Sequence, residues 1–221
     1  MSTCLIIFAK SPIPGKVKTR LTPHITPTKA AELYEAFIAD TISTALRLKC
    51  ERTTVAYSPG YAEKTFRRLC GQSVDYLPQK GHNLGERMKN AFKHSFDKGF
   101  KRTVIIGTDS PTLPLSYIRE AFDVLKKVPV TIGPTFDGGY YLIGLSVQED
   151  ALFDNIEWSA SSVFSQTLAR IKTANKQLCI LPPWYDVDTP ESLEFLRSHL
   201  LSMKMSGSED IPEKTLRFLK I

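Results

Sequence analysis

Four cations lie close together near the start of the chain, in a segment that could bind phosphate. Lys10, Lys16, Lys18 and Arg20 follow an apolar run at 4–9, and no acidic residue precedes Glu32. A basic loop at the end of a buried strand can hold an anion, because ligands of open parallel sheets bind at that edge. The alternative is a solvated basic loop without a ligand.

One glycine and two prolines within the loop bear on which phosphate motif it could be. Two prolines restrict its conformations, and Gly15 lets its backbone approach a ligand closely. It is not a P-loop, because Lys10 stands where that motif needs glycine and Val17 where it needs Ser or Thr. The chain also has no G-x-G-x-x-G segment, which argues against a dinucleotide enzyme of the usual kind.

Composition indicates a soluble globular protein of one main domain. The chain has 221 residues, of which 42% are hydrophobic and 24% charged. Its net charge of +6 suits an anionic ligand but is too small to indicate nucleic acid. The four scattered cysteines indicate free thiols, and no signal peptide or membrane span is recognisable, so we expect a cytoplasmic protein.

Apolar runs alternate with amphipathic stretches, which predicts an α/β fold with a largely parallel sheet. We expect one domain over residues 1–203 and a C-terminal tail, 204–221, with a short helix. The spacing predicts strands at about 3–9, 53–58, 73–78, 102–107, 129–134, 139–145 and 177–181. It predicts helices at about 27–48, 61–70, 84–97, 114–127, 161–174 and 189–203.

Acidic residues follow three of these strands. Asp109 comes directly after the strand at 102–107, where it could face the basic loop, although capping a turn before Pro111 is the alternative. Asp137 precedes Gly138 and Gly139, which could be a plain turn or could let a ligand lie against the backbone.

The third acidic segment contains two aspartates. Asp186 and Asp188 project to the same side if the segment is extended. Thr189 followed by Pro190 is already a good helix start, so Asp188 is free to bind a ligand, the alternative being a favourable charge near a helix N-terminus. Carboxylates near a basic loop suit Mg²⁺ or Mn²⁺ shared with a polyphosphate.

These motifs together resemble a bacterial family of glycosyltransferases, the DUF2064 or selenodomain-associated group, within the nucleotide-diphospho-sugar transferase superfamily. The likeness extends from about residue 3 to 197, and its motifs lie at 8–21, 84–88, 107–111, 133–145, 158–159 and 186–190. The resemblance implies a GT-A-like fold, with a mostly parallel central sheet and helices on both faces. The chain lacks the glycine-rich opening of the related nucleotidyltransferases and a plain Asp-x-Asp at Asp109.

The resemblance also implies a role for each matching position. Nucleotide binding would involve Ala9, Lys10, Gly15, Lys18, Arg20, Gly85 and Asp109. Asp109 and Asp188 would hold the divalent ion, while Asp137, Gly138, Gly139 and Trp158 would border the acceptor or sugar. Asp109, Asp137 and Lys18 are the candidate catalytic residues.

Three functions follow from this reasoning. The first is a metal-dependent glycosyltransferase that uses a nucleotide-diphosphate sugar and a small acceptor, with Asp137 deprotonating the acceptor. The second is a nucleotidyltransferase that releases pyrophosphate from a nucleoside triphosphate. The third is a non-catalytic nucleotide-binding protein. We expect no nucleic-acid partner, and the oligomeric state stays open, a homodimer being one alternative.

Overall fold

A computed structural model describes residues 2–22 and 24–221 of the chain. Within these residues one seven-stranded sheet forms in the order β3-β2-β1-β4-β6-β5-β7. Its strands are β1 Thr3–Lys10, β2 Arg52–Ser58, β3 Asp75–Pro78, β4 Arg102–Ile106, β5 Val130–Pro134, β6 Tyr140–Leu145 and β7 Leu178–Ile180. Only β6 runs antiparallel to its neighbours, so the sheet is mostly parallel, as the sequence predicts.

The helices cover both faces of the sheet. They are α1 Pro27–Arg47, α2 Glu63–Cys70, α3 Leu84–Asp97, α4 Leu115–Val124, α5 Val163–Thr173, α6 Pro190–Met205 and α7 Glu213–Leu219, with short 3-10 helices at Thr19–Leu21 and Asp150–Phe153. One core joins α1, α2, α4, α6 and α7 to the sheet, and a second core joins α3 and α5 to its other face. This arrangement confirms the fold class expected from the sequence.

Local signals set several of the helix boundaries. The side chain of Thr26 accepts from the backbone N–H of Lys29, and Pro27 occupies the first turn of α1. Asn83 caps α3 by accepting from the N–H of Glu86 at 2.9 Å. Because each cap needs only residues within one turn, these starts were predictable from sequence.

The sheet topology decides which loops can meet. β1 pairs in parallel with both β2 and β4, so the loops that follow β1 and β4 leave from the same edge. β7 lies parallel to β5 at the end of the sheet, and the chain continues from it into α6. The basic loop, the Asp109 loop and the segment before α6 therefore lie at one edge. Among the described residues, no helix has the combined length and apolarity needed to cross a bilayer.

Candidate active site

Lys18 lies between two of the acidic residues. Its Nζ donates to Oδ1 of Asp109, to the carbonyl oxygen of Val187 at 2.8 Å and to Oδ1 of Asp188 at 2.8 Å. An ammonium group has three N–H donors, so these contacts use all of them. Three segments that are far apart in sequence thus converge on one nitrogen.

The surroundings of Lys18 hold its side chain in a fixed position. Its backbone is left-handed, with φ 49°, a conformation that costs a non-glycine residue on the order of 1 kcal/mol or more. The side chain is only 2% exposed, and Nζ lies 5.4 Å from the ring centroid of Tyr34 and 5.3 Å from that of Phe37, both on α1. These contacts direct the ammonium toward the acidic residues.

The segment before α6 presents Asp188 without using it as the helix cap. Thr189 and Ser192 form a reciprocal capping box, which satisfies the helix start. Oδ2 of Asp188 accepts from Nη2 of Arg20 at 2.7 Å. The backbone N–H of Val187 donates to the carbonyl of Asp109 at 2.9 Å, which ties the two acidic segments together. Asp188 is therefore available for ion pairing, as its sequence context predicts.

The ion pairs determine the charge states of this cluster. Burial alone would lower the pKa of Lys18, but Asp109 and Asp188 outweigh it and hold that pKa above its ordinary value. Burial alone would raise the pKa of Asp188, but Lys18 and Arg20 hold it below its ordinary value. Lys18 and Asp188 are consequently both charged at neutral pH.

Asp186 behaves differently from Asp188. Its Oδ1 accepts from the hydroxyl of Ser110 at 2.5 Å, whereas Asp188 pairs with cations. Burial, followed by the charge of Asp109, raises the pKa of Asp186 to about 7. The spacing of Asp186 and Asp188 predicted two side chains on the same side of one segment. Their different hydrogen-bond and ion-pair partners are determined by the fold.

A cleft of about 710 Å³ opens beside the cluster. Its lining includes the candidate residues Ala9, Lys10, Lys18, Arg20, Asp109, Trp158 and Asp188. Lys16 and Arg87 also line it, and sequence reasoning had assigned no role to Arg87. Lys10, Lys16 and Arg87 form no ion pair with any residue in 2–22 or 24–221. The cleft thus retains positive charge that suits a polyanion.

Gly15 and Gly85, two glycines expected near ligands, do not themselves line the cleft. Gly15 has φ 75°, so it supplies the left-handed turn of the basic loop. Gly85 packs on Trp158, and a Cβ at Gly85 would lie 2.5 Å from the indole ring. The fold thereby brings Gly85 into contact with Trp158, whereas the sequence indicated these two residues separately. The contact with Gly85 sets the position of the Trp158 ring in the cleft.

The glycine pair after Asp137 has a packing role. Gly138 has φ 90°, and a Cβ there would lie 1.9 Å from the carbonyl oxygen of Ser161. Oδ1 of Asp137 accepts from the Thr135 hydroxyl at 2.5 Å and from the N–H of Gly139 at 3.1 Å. Asp137, Gly138 and Gly139 do not line the 710 Å³ cleft. Their assignment to the acceptor stays a prediction.

A family model matches residues 41–160, and its description reads "uncharacterized protein conserved in bacteria (DUF2064)". The chain belongs to the DUF2064 family. This membership confirms the resemblance inferred from the motifs. No curated protein is similar enough to this DUF2064 protein to count as a match.

Solved structures of other proteins share its fold. A protein of Desulfovibrio desulfuricans G20, provisionally named a nucleotide-diphospho-sugar transferase, is 36% identical with a TM-score of 0.89, over 98% of this chain and 95% of that one. CMP:2-keto-3-deoxy-manno-octonic acid synthetase complexed with CTP is 11% identical with a TM-score of 0.58, over 91% and 99% of the two chains. A manganese complex of Rv0371c from Mycobacterium tuberculosis H37Rv is 13% identical with a TM-score of 0.57, over 89% and 98%.

Proposed function

We propose that this DUF2064 protein is a metal-dependent glycosyltransferase that moves a sugar from a nucleotide diphosphate to a small acceptor. The observation that carries the proposal is the convergence of Lys18, Asp109 and Asp188 beside a cleft with unpaired cations. Cations suit the diphosphate, and carboxylates suit an ion that bridges protein and phosphate. The name of the D. desulfuricans protein, at 36% identity, supports a sugar donor.

The acidic pair fits a divalent ion. Asp109 and Asp188 both contact one ammonium, so their oxygens already point at a shared cation. A carboxylate has about four lone-pair positions, which leaves each able to accept another ligand. Within residues 2–22 and 24–221, no group of three or more His, Cys, Asp or Glu could hold a metal. Mg²⁺ commonly takes only one or two carboxylates, because phosphate oxygens and water complete its shell.

Asp109 and Asp188 would therefore hold Mg²⁺ or Mn²⁺, and such an ion offsets negative charge on a departing diphosphate. Lys18 would keep the two carboxylates together, because its three donors are already committed to them and to Val187. Lys10, Lys16 and Arg20 would bind the phosphates from the rim. Exposed cations of this kind can reorient toward a ligand at little structural cost.

The acceptor needs a group that removes a proton from its hydroxyl. Asp137 is our candidate, because its exposed carboxylate lies on the loop between β5 and β6 and only Oδ1 is engaged by described residues. Gly139 and Thr135 fix the orientation of that carboxylate through their bonds to Oδ1. This role places the acceptor hydroxyl beside Asp137, outside the lining of the cleft.

A second function is nucleotidyl transfer from a nucleoside triphosphate. Lys10, Lys16 and Arg87 add three cations to the cleft beyond those paired with acids, and this charge would also suit a triphosphate. The fold shared with a synthetase complexed with CTP supports nucleotide binding in either case. A non-catalytic nucleotide-binding protein is the third candidate.

Product analysis separates the three functions. The protein is incubated with nucleotide sugars or nucleoside triphosphates, Mg²⁺ or Mn²⁺, and a panel of acceptors. Glycosyl transfer predicts release of nucleoside diphosphate, which EDTA should abolish, whereas nucleotidyl transfer predicts pyrophosphate. Binding without either product would favour the non-catalytic alternative and contradict our proposal.

A matched pair of lysine variants tests the location of the site. Lys16→Ala removes a cation from the cleft and should raise the dissociation constant for the nucleotide about fivefold, in line with an exposed charge contact. Lys93→Ala removes an exposed lysine on α3 whose one ion-pair partner among the described residues is Asp97. It should leave nucleotide affinity unchanged, and equal effects of the two variants would contradict the assignment of the cleft.

A further inference from the structure

A second cavity, of about 510 Å³, is lined in part by residues adjacent in sequence to the acids. We call it the aromatic pocket, and its lining consists of Phe136, Pro183, Trp184, Tyr185, Ser192, Phe195 and His199. None of these residues lines the 710 Å³ cleft. Its volume lies within the range of small-molecule sites, about 300–1,000 Å³.

Two phenylalanines of the pocket are exposed to solvent. Phe136 is 77% exposed and Phe195 is 56% exposed. The ring of Phe195 meets that of Tyr185 edge to face, with centroids 4.7 Å apart, and Trp184 lies 5.7 Å from Tyr185. Exposed and partly exposed rings that line one cavity can mark a binding surface, because water contact with apolar surface is unfavourable.

Most polar side chains of the pocket already have hydrogen-bond partners, but the buried Nε1 of Trp184 has none among the described residues. The hydroxyl of Tyr185 contacts Thr112 Oγ1 at 2.9 Å and His199 Nδ1 at 2.8 Å. The hydroxyl of Ser192 donates to the carbonyl of Thr189 at 2.9 Å. Burial lowers the pKa of His199, so its ring is neutral at pH 7. The described lining therefore offers mainly apolar ring surface, one unpaired indole N–H and no charge, which does not suit a phosphate.

Three members of the pocket adjoin the acidic residues. Phe136 directly precedes Asp137, and Tyr185 directly precedes Asp186. The hydroxyl of Ser192 accepts from the backbone N–H of Asp188 at 2.9 Å. A molecule in the pocket would thus contact residues that are adjacent in sequence, or hydrogen-bonded, to the acids.

We propose that the aromatic pocket binds the acceptor, and that the acceptor carries an uncharged aromatic ring beside its reactive hydroxyl. This inference rests on the proposed function, since an acceptor exists only if the protein transfers a group. The donor then binds in the cleft and the acceptor in the aromatic pocket, with the acids adjoining both. Basic residues hold the donor, and aromatic rings hold the acceptor by stacking.

The two tryptophans allow each site to be followed separately. The chain has two, Trp158 in the cleft and Trp184 in the pocket. In the Trp158→Phe variant, emission comes from Trp184 alone, and we titrate it with 4-nitrobenzyl alcohol, an uncharged aromatic alcohol that quenches indole. We expect saturable quenching, whereas methyl β-glucoside at the same concentrations should give none.

A ring deletion on the same background tests the contact. Phe195→Ala should raise the dissociation constant for 4-nitrobenzyl alcohol about fivefold, as expected for one lost aromatic contact. Leu201→Ala removes an exposed apolar side chain from the same helix, outside the pocket, and should not change it. Non-saturable quenching, or saturation by the glucoside instead, would overturn the proposal.

The reverse variant keeps the test independent of the proposed function. Trp184→Phe leaves Trp158 as the reporter for titration with UDP, GDP, ADP and CDP in the presence of Mg²⁺. A nucleotide response without aromatic binding would overturn only the pocket proposal. Aromatic binding without any nucleotide response would remove the acceptor role. A dimer in sedimentation that Phe195→Ala dissociates would assign the surface to a second copy of the chain and overturn the inference.

Discussion

Two groups of carboxylates in this protein join distant segments, and they do so in different ways. Asp40 on α1 is 4% exposed and accepts from the N–H of Lys214 at 3.0 Å and from the N–H and hydroxyl of Thr215 at 2.7 Å each. Asp109 and Asp188 instead share the ammonium of Lys18, and the Asp109 side chain is 44% exposed. One group is closed to solvent, and the other borders a cleft.

The difference separates a structural acid from the acids of the proposed ion site. Neutral donors at the start of α7 satisfy the carboxylate of Asp40. These hydrogen bonds therefore stabilise the packing of the C-terminal helix α7 on α1. The buried ammonium of Lys18 instead holds Asp109 and Asp188, whose remaining lone pairs can still accept an ion. We therefore expect changes in the first group to affect stability and changes in the second to affect activity.

The largest effect should come from Asp109→Asn. The change removes a negative charge from the proposed ion site and should lower the transfer rate about 100-fold, or about 2.7 kcal/mol. Stability should change by less than about 1 kcal/mol, because the side chain is half-exposed and Lys18 keeps two other partners. Steady-state kinetics and urea unfolding measure both quantities. A stable Asp109→Asn variant with the normal metal response would contradict the distinction between these two groups of carboxylates.

Asp40→Asn should give the opposite result. One oxygen becomes an NH₂ that cannot accept from α7, so a buried donor loses its partner and the free energy of unfolding should fall by about 2 kcal/mol. The rate per folded molecule should not change. Asp97→Asn, at an exposed acid on α3, is the control and should alter stability by less than about 0.5 kcal/mol. Urea unfolding of wild type, Asp40→Asn and Asp97→Asn measures these differences in the free energy of unfolding.

A third prediction concerns pH and Asp186. Because its pKa rises from 3.8 to about 7 on folding, the folded state binds more protons in that window and stability falls as pH rises through it. The stability of wild type relative to Asp186→Asn should therefore drop by about 1–2 kcal/mol between pH 4 and pH 8, less than the full shift implies because the side chain is partly exposed. Urea unfolding in EDTA measures this difference. A constant difference would indicate an ordinary, ionised carboxylate.

The smallest effect should come from the rim of the cleft. Arg20 is exposed and pairs with Asp188, so Arg20→Gln should raise the nucleotide dissociation constant about fivefold, and less at high salt. Arg68→Gln removes an exposed arginine on α2 that pairs with Glu35 and serves as the control. Calorimetric titration at two salt concentrations checks both. A salt-independent loss at Arg20 would point to packing rather than charge.

Much of the fold could be predicted because the signals are local. The helix predicted at 84–97 spans those residues in the structure, and most other predicted boundaries differ by only one to three residues. Thr189 rather than Asp188 caps α6, as its neighbours indicated. The 3-10 helix at Asp150–Phe153 was not predicted, because a single turn leaves no periodic pattern to recognise.

The site was only partly predictable. Asp109 and the basic loop could be assigned to one edge, because parallel strands end together. That Lys18 turns inward to two acids could not be read from the loop, since its contacts are 91 and 170 residues away in the sequence. No sequence motif predicts the aromatic pocket, because its rings come from three separate segments: the loop at 136, residues 183–185 and α6.

The sequence by itself determined the order of strands and helices, the family and the residue types able to bind phosphate and a divalent ion. These properties depend on neighbouring residues, whose periodicity and caps act within a few positions. Only the tertiary structure decided that Lys18 joins Asp109 to Asp188, that Asp40 anchors α7, and that aromatic rings adjoin the acids. Such contacts depend on how parallel strands stack side by side, which no short stretch of sequence specifies.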